Sequence, residues 1–152
     1  MSEVVRVVAR HLDGRMLKGT TSDFFPNRPL FHLQPLEGGP VTEIRCKTLK
    51  AVFFVRDLAG DPKRRDLRGF IDAPGETSKG KKLAVRFKDG ELLCGYALSY
   101  LPEREGFFLT PADPKSNSLR IYVMAAAAAE VKVGPGADQL AQRALAEKGQ
   151  AE

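Results

Sequence analysis

The chain has 152 residues, of which 43% are hydrophobic and 28% are charged, and its formal net charge is +5. This length suffices for one domain of common size or for two very small ones. No hydrophobic run approaches the roughly 20 residues of a membrane-spanning helix, and the N-terminus lacks the basic and apolar regions of a secretory signal. We therefore expect a cytoplasmic protein without membrane contact.

The few cysteine and histidine residues restrict the chemistry open to the chain, which has only Cys46, Cys94, His11 and His32. No CxxC pair or Cys/His cluster is present, which argues against a zinc site. Thiols stay reduced in the cytoplasm. Both cysteines lie in apolar, strand-like stretches, a position typical of small buried side chains rather than of nucleophiles. We expect no metal and no cofactor.

The two halves of the chain resemble each other in sequence. Residues 7–35 align with residues 83–111 without a gap, and ten of the 29 positions are identical. Residues 42–55 align with residues 120–133 after a connection that is roughly two residues longer in the second half. A structural unit of about 50 residues is therefore predicted to occur twice.

Each unit is predicted to open with a β-hairpin. Apolar residues alternate along residues 83–87, which is the period of a half-buried strand. The dipeptide Asp89-Gly90 then predicts a two-residue type I′ turn. That turn would place Val85 opposite Cys94 on the face turned to the core.

Glycine in the second strand and proline after the third predict how each unit curls. Gly19 and Gly95 favour a bend in the second strand, while Pro35 and Pro111 end the third strand because proline cannot donate to a sheet. Two further strands, separated by one turn, complete a five-stranded unit. This order predicts a small antiparallel SH3-like or Sm-like barrel; one continuous two-lobed sheet is the alternative.

The predicted organisation is all-β, with two tandem barrels. The first barrel covers residues 4–58 and the second residues 81–133, with a basic linker at residues 59–80 between them. The tail, residues 134–152, begins with the breaker Gly-Pro-Gly and is then rich in helix formers. It is predicted to be a short helix or disordered.

Two family resemblances support this fold. The string FKDGELLCGY resembles the opening of Sm-like proteins. The strings KTLKAVFFVRDLAGDP, VRFKDGELLCGYALSY and GFFLTPADPKSNSLRIYV together resemble an uncharacterised bacterial family, a domain of unknown function, over roughly residues 4–133. Members of that family pair KAVFFV with later FxDGE, GFFL and PADxxSN strings. The resemblance implies the fold and no particular activity.

Arg28 and Arg104 occupy the same place in both units, just before the third strand. An arginine offers five donors in a flat fork that suits phosphate or carboxylate. An equivalent arginine in each unit predicts a ligand contact. A structural bond to a loop carbonyl or to Asp23 is an equally open interpretation.

The loop at residues 111–118 is the best local candidate for a ligand site, because Asp113, Ser116 and Asn117 bring a carboxylate, a hydroxyl and an amide beside an apolar strand end. Loops on a rigid scaffold often carry such sites. The alternative is a turn, since Asp, Ser and Asn all favour turns for local reasons.

The linker carries a cluster of arginines at Arg64, Arg65 and Arg68. The four-residue interval from Arg64 to Arg68 resembles the RxxxR element of PilZ domains, and that resemblance implies cyclic di-GMP binding. The second PilZ element is absent from the chain. A solvated basic linker is the alternative interpretation.

The sequence contains no Gly-rich phosphate loop, GxSxG, HExxH or paired-carboxylate motif. We therefore predict no catalytic residues and no enzyme. The principal hypothesis is a non-catalytic adaptor that binds a protein partner, since exposed sheet edges accept partner strands or self-associate into homo-oligomers. Sm-like binding of RNA, favoured by the positive charge, and a PilZ-like cyclic di-GMP receptor are the alternatives.

Overall fold

The structure is a computed structural model that describes residues 4–58, 76–77, 80–112 and 116–151. The first half contains the strands β1 (Val5–Arg10), β2 (Met16–Thr21), β3 (Leu30–Pro35), β4 (Thr42–Arg45) and β5 (Ala51–Val55). The second half contains β6 (Glu76–Thr77), β7 (Gly80–Phe87), β8 (Leu92–Ala97), β9 (Gly106–Pro111), β10 (Ser118–Met124) and β11 (Ala128–Val133). Short 3-10 helices, Cys46–Thr48 and Ala125–Ala127, precede β5 and β11, and the chain ends in helix α1 (Pro135–Ala151).

The strands form one antiparallel sheet in the order β11-β7-β8-β9-β10-β5-β1-β2-β3-β4, and the short β6 pairs with the start of β7. The prediction of a mainly β chain is confirmed. Two separate closed barrels are not seen, because β10 of the second half pairs with β5 of the first and the sheet does not close on itself. Of the predicted linker, residues 59–75 and 78–79 lie outside the described residues, and the division into domains stays a prediction.

The strand pairings of the first half recur in the second. Val7 pairs with Gly19 on β1 and β2, and Leu83 pairs with Gly95 on β7 and β8, 76 residues later. On the fourth strands the offset is 79, since Phe31↔Ile44 corresponds to Phe107↔Val123. The connection before the fourth strand is therefore three residues longer in the second half, not about two.

The turn of each hairpin differs from the predicted one. The backbone N–H of Phe87 donates to Glu91 O at 2.8 Å and that of Gly90 donates to Phe87 O at 2.9 Å, which gives a three-residue loop. Gly90 has a φ of 92°, the left-handed conformation that such a loop needs at its last position. Asp89 Oδ1 accepts the Glu91 N–H at 3.0 Å and stabilises the turn. The predicted two-residue turn is wrong.

The longer turn shifts the pairing of β7 with β8 by one residue. Cys94 lies opposite Ala84, not opposite Val85. A shift of one residue moves every side chain of the strand to the other face of the sheet. Cys94 therefore leaves the predicted core face and packs beside Ala84 under α1.

The hydrophobic core runs through both halves because the β10–β5 pair joins their faces. Phe53 lies opposite Ile121, and Val52 lies opposite Tyr122. Alternation along the two strands turns Phe53 and Ile121 to one face and Val52 and Tyr122 to the other. Residues of both halves belong to one buried cluster, which includes Phe31 of the first half.

Helix α1 covers the other face of β7, β8 and β11. Ala137 and Leu140 are fully buried against Ala84. Two ion pairs hold the helix in place, Lys82–Asp138 at 3.0 Å and Arg143–Glu130 at 2.6 Å. The helical alternative for the tail is therefore the one found. No helix among the described residues has both the length and the apolar character needed to cross a membrane.

A buried lysine ties the two halves together on the sheet. Lys50, whose side chain is 5% exposed, pairs with Asp89 at 2.7 Å and with Glu91 at 2.9 Å. Its ammonium also lies 4.7 Å from the centroid of the Phe87 ring. Burial raises the pKa of Asp89, but hydrogen bonds from Lys50 and from the Glu91 N–H outweigh burial and leave this pKa below its ordinary value.

We expect Lys50→Met to lower the free energy of unfolding at pH 7 by about 1 to 3 kcal/mol, because it removes hydrogen bonds to charged groups. Asp89 is more acidic when folded, so its contribution is present above its unfolded pKa of about 4 and is lost as the pH falls through the folded value. Between pH 7 and pH 3, the free energy of unfolding should therefore fall less for the variant than for the natural chain. Urea titrations at the two pH values measure this difference. Lys47→Met, at an exposed position, is the control and should behave like the natural chain at both pH values.

Candidate binding groove

An open groove of about 750 Å³ lies where the loop after β2 meets the strands β8, β9 and β10. The first half contributes Pro26 and Asn27. The second half contributes Tyr96, Leu98, Ser99, Leu101, Glu103, Arg104, Glu105, Gly106, Phe107, Phe108, Thr110, Arg120 and Tyr122. We call this the Pro26–Tyr122 groove.

Strand alternation places the aromatic residues of the groove on one face. Tyr96 pairs with Thr110, and Phe108 pairs with Tyr122, so all four side chains point to the same side of the sheet. The Phe108 and Tyr122 ring centroids are 4.9 Å apart in an edge-to-face arrangement. The floor of the groove is therefore aromatic and preformed.

Gly106 lets the Tyr122 ring lie close to the backbone of β9. A Cβ atom at this position would lie 2.6 Å from the ring and hydroxyl atoms of Tyr122. The Tyr122 hydroxyl donates to Pro26 O at 3.3 Å, which ties the wall of the groove to its floor. Burial raises the pKa of Tyr122 and also that of Tyr96, so both phenols keep their protons at neutral pH.

Of the residues that line the groove, only Arg104 was a predicted site residue, and Arg120 is the charged residue on its aromatic floor that sequence reasoning missed. Its guanidinium carbon lies 4.7 Å from the Phe54 ring centroid and 4.6 Å from that of Phe108. The side chain is nevertheless exposed, so the flat cation rests on two rings and keeps its hydrogen-bond donors available. An arginine within the strand string SLRIYVM was the available signal, but its ring partners come from β5 and β9.

The two equivalent arginines have different surroundings. Arg104 lines the groove and lies in a turn. The backbone N–H of Arg104 closes this turn by donating to Leu101 O at 3.1 Å. Arg28 lies over the Phe25 ring at 4.7 Å, in the corresponding turn of the first half, and does not line the groove. The structure therefore places one of these two predicted residues at the candidate site.

Ser116 and Asn117 bind the backbone and lie outside the groove. The Asn117 amide accepts the Asp57 N–H at 3.1 Å and donates to Asp57 O at 2.8 Å. Asn117 O also accepts the Arg56 N–H at 2.9 Å. Ser116 is buried, and its hydroxyl accepts the Ser118 N–H at 3.1 Å. These contacts extend the β10–β5 pairing past the ends of the strands.

Four of the predicted site residues fall outside the described residues: Asp113, Arg64, Arg65 and Arg68. Their roles stay predictions. In the described part of the chain, no group of three or more His, Cys, Asp or Glu side chains is placed to hold a metal ion. Both cysteines are free thiols, and burial raises the pKa of Cys46.

Comparison with known proteins identifies the family of the chain. The model of a family of unknown function, DUF6982, matches residues 3–134, so the chain belongs to that family. No curated protein and no solved structure matches the chain.

We expect Asn117→Ala to lower the free energy of unfolding by about 1 kcal/mol, because two hydrogen bonds to the Asp57 backbone are lost. Thermal or urea unfolding measures this change. Asn27→Ala, at an exposed position of the groove, is the control and should leave the stability unchanged. An unchanged free energy of unfolding in Asn117→Ala would show that these two hydrogen bonds do not stabilise the fold.

Proposed function

We propose that this member of DUF6982 is a non-catalytic adaptor of the bacterial cytoplasm that binds a protein partner. The proposed occupant of the Pro26–Tyr122 groove is an extended segment of that partner, bearing an apolar side chain and a carboxylate. A concave surface with apolar walls and a few oriented polar groups suits such a ligand.

The observation that carries this proposal is that the two arginines of the groove have no carboxylate partner among the described residues. Neither Arg104 nor Arg120 forms an ion pair with a carboxylate in the described part of the chain. Each therefore keeps its donor fork for an incoming group, and a carboxylate fits that fork with two parallel bonds.

Exposed apolar side chains at the same site support a partner with an apolar residue. Leu98 is 80% exposed and Leu101 is 39% exposed, and both line the groove. Burying them against a partner would stabilise the complex by removing apolar surface from water. Glu103 and Glu105 lie at the same groove and would disfavour a segment with many acidic residues.

The fold of each half is part of the same proposal. We infer that each half is a Sm-like (SH3-like) unit, which is supported by the recurrence of all its strand pairings in the second half. The two units share the β10–β5 pair instead of closing separately.

The test starts from peptides selected on the natural chain out of a random displayed library. Their affinities are then measured by fluorescence anisotropy for the natural chain and for Arg120→Gln. We expect peptides with one carboxylate beside an apolar residue, and a loss of roughly tenfold or more in Arg120→Gln, because a hydrogen bond to a charged group contributes about 1.5 to 3 kcal/mol.

Arg28→Gln is the matched control, since Arg28 also lies on an aromatic ring but outside the groove. Its affinity should equal that of the natural chain. Failure to select any peptide, or equal binding by Arg120→Gln, would reject the groove as the partner site.

Binding of single-stranded RNA is the second candidate, and the stacking of Arg120 on Phe54 and Phe108 favours it. Aromatic rings beside a cation form a platform on which bases stack, and the net charge of +5 has the matching sign. We expect the logarithm of the RNA affinity to fall linearly with the logarithm of the salt concentration. Arg120→Gln should weaken binding more than Arg28→Gln, and no mobility shift by the natural chain at low salt would remove this candidate.

The cyclic di-GMP hypothesis stays a prediction. Its residues, Arg64, Arg65 and Arg68, lie outside the described residues.

A further inference from the structure

We propose that the chain associates with copies of itself head to tail, with β4 of one copy pairing with β11 of the next. The sheet would then continue from molecule to molecule. This interface is distinct from the Pro26–Tyr122 groove and does not depend on the function proposed for it.

The template for this interface is the junction between the two halves. On β10 and β5, Val123 lies opposite Ala51 and Ile121 lies opposite Phe53. All four residues are less than one-tenth exposed. The fourth strand of one half and the fifth strand of the other thus form a stable antiparallel pair in this sequence.

The two ends of the sheet are the counterparts of that pair. Ile44 on β4 corresponds to Val123 on β10, because their partners Phe31 and Phe107 are equivalent. Val133 on β11 likewise corresponds to Phe54 on β5, since they pair with Leu83 and Val7. In the part of the chain that the structure describes, β4 pairs with β3 alone and β11 with β7 alone. The outer edges of β4 and β11 therefore correspond to the edges of β10 and β5 that pair inside the chain.

The register of the internal junction can be transferred to the ends. The internal pair Arg120↔Phe54 becomes Val41 opposite Val133. Val41 is 55% exposed and Val133 is 41% exposed, so each has apolar surface that a partner strand could cover. Cross-strand β-branched pairs stabilise antiparallel sheets, so a second copy would give both valines a partner.

The new pair is weaker than the internal one for two reasons. Where β5 has Phe53 and Ala51, β11 has Lys132 and Glu130, and Glu130 already pairs with Arg143 of α1. Charged side chains at a sheet edge limit its pairing. The counterpart of Arg56, whose N–H bonds to Asn117 O, is Pro135, which has no N–H to donate. The association should therefore be reversible and depend on concentration.

An interface that joins two different edges is heterologous, so it produces closed rings or open chains rather than symmetric dimers. This property separates it from pairing of like edges. It also determines the design of a cross-linking experiment, because the two contributing residues then come from different molecules.

The test uses single cysteine variants that are mixed and oxidised. Val41→Cys mixed with Val133→Cys should give a disulfide-linked dimer, since directly opposite residues of an antiparallel pair lie within disulfide range. The natural chain, which retains Cys46 and Cys94, gives the background. Leu36→Cys mixed with Val133→Cys is the matched control, because Leu36 is also 55% exposed but lies away from the predicted contact.

Cross-linking of the Val41→Cys and Val133→Cys mixture no stronger than that of the control would overturn the proposal. If either cysteine variant alone cross-linked as strongly as the mixture of the two, the proposal would also be overturned. Two β4 edges or two β11 edges would then be pairing with each other.

Sedimentation velocity supplies an independent measurement on the unmodified chain. The apparent mass should rise with protein concentration for the natural chain and for Leu36→Lys, and should stay that of a monomer for Val41→Lys. A natural chain that remains monomeric over the whole series, or a Val41→Lys protein that still associates, would exclude this interface.

Discussion

The pairing of β10 with β5 is the interaction on which the rest of the structure depends. It joins strands from opposite halves of the chain and turns two sets of strands into one sheet. Asn117 extends the junction by binding the Asp57 backbone, and Lys50 crosses it to reach Asp89 and Glu91. Apolar packing, an amide clamp and a buried cation therefore stabilise the same junction.

This junction also creates the candidate groove. The face of β10 that carries Tyr122 continues onto the side of β5 that carries Phe54. Phe24 of the first half packs against both rings, at 5.3 Å from Phe54 and 5.4 Å from Tyr122. Arg120 rests on Phe54 from one half and Phe108 from the other. Neither half alone could form this arrangement, so the groove depends on the association of the two.

The structure distinguishes equivalent positions by their surroundings. Arg28 and Arg104 occupy equivalent turns, yet of the two only Arg104 lines the Pro26–Tyr122 groove, while Arg28 lies over the Phe25 ring. The fifth strands also differ, since Phe53 is buried at the junction and its counterpart Lys132 is exposed on β11. Among the described residues, the sheet therefore has one junction between the halves and two terminal strands, β4 and β11, of different character.

The sequence by itself determined every described strand except β6, which lies in the predicted linker, and the positions of the hairpin turns, because alternation and turn residues act locally. It did not determine the pairing of Ala84 with Cys94, since Asp-Gly suits both two-residue and three-residue turns. Nor did it reveal Arg120, whose ring partners lie 66 residues before it, at Phe54, and 12 residues before it, at Phe108. Only the tertiary structure decided whether the two halves stayed separate, because the pairing of β10 with β5 depends on which strand edges meet in space.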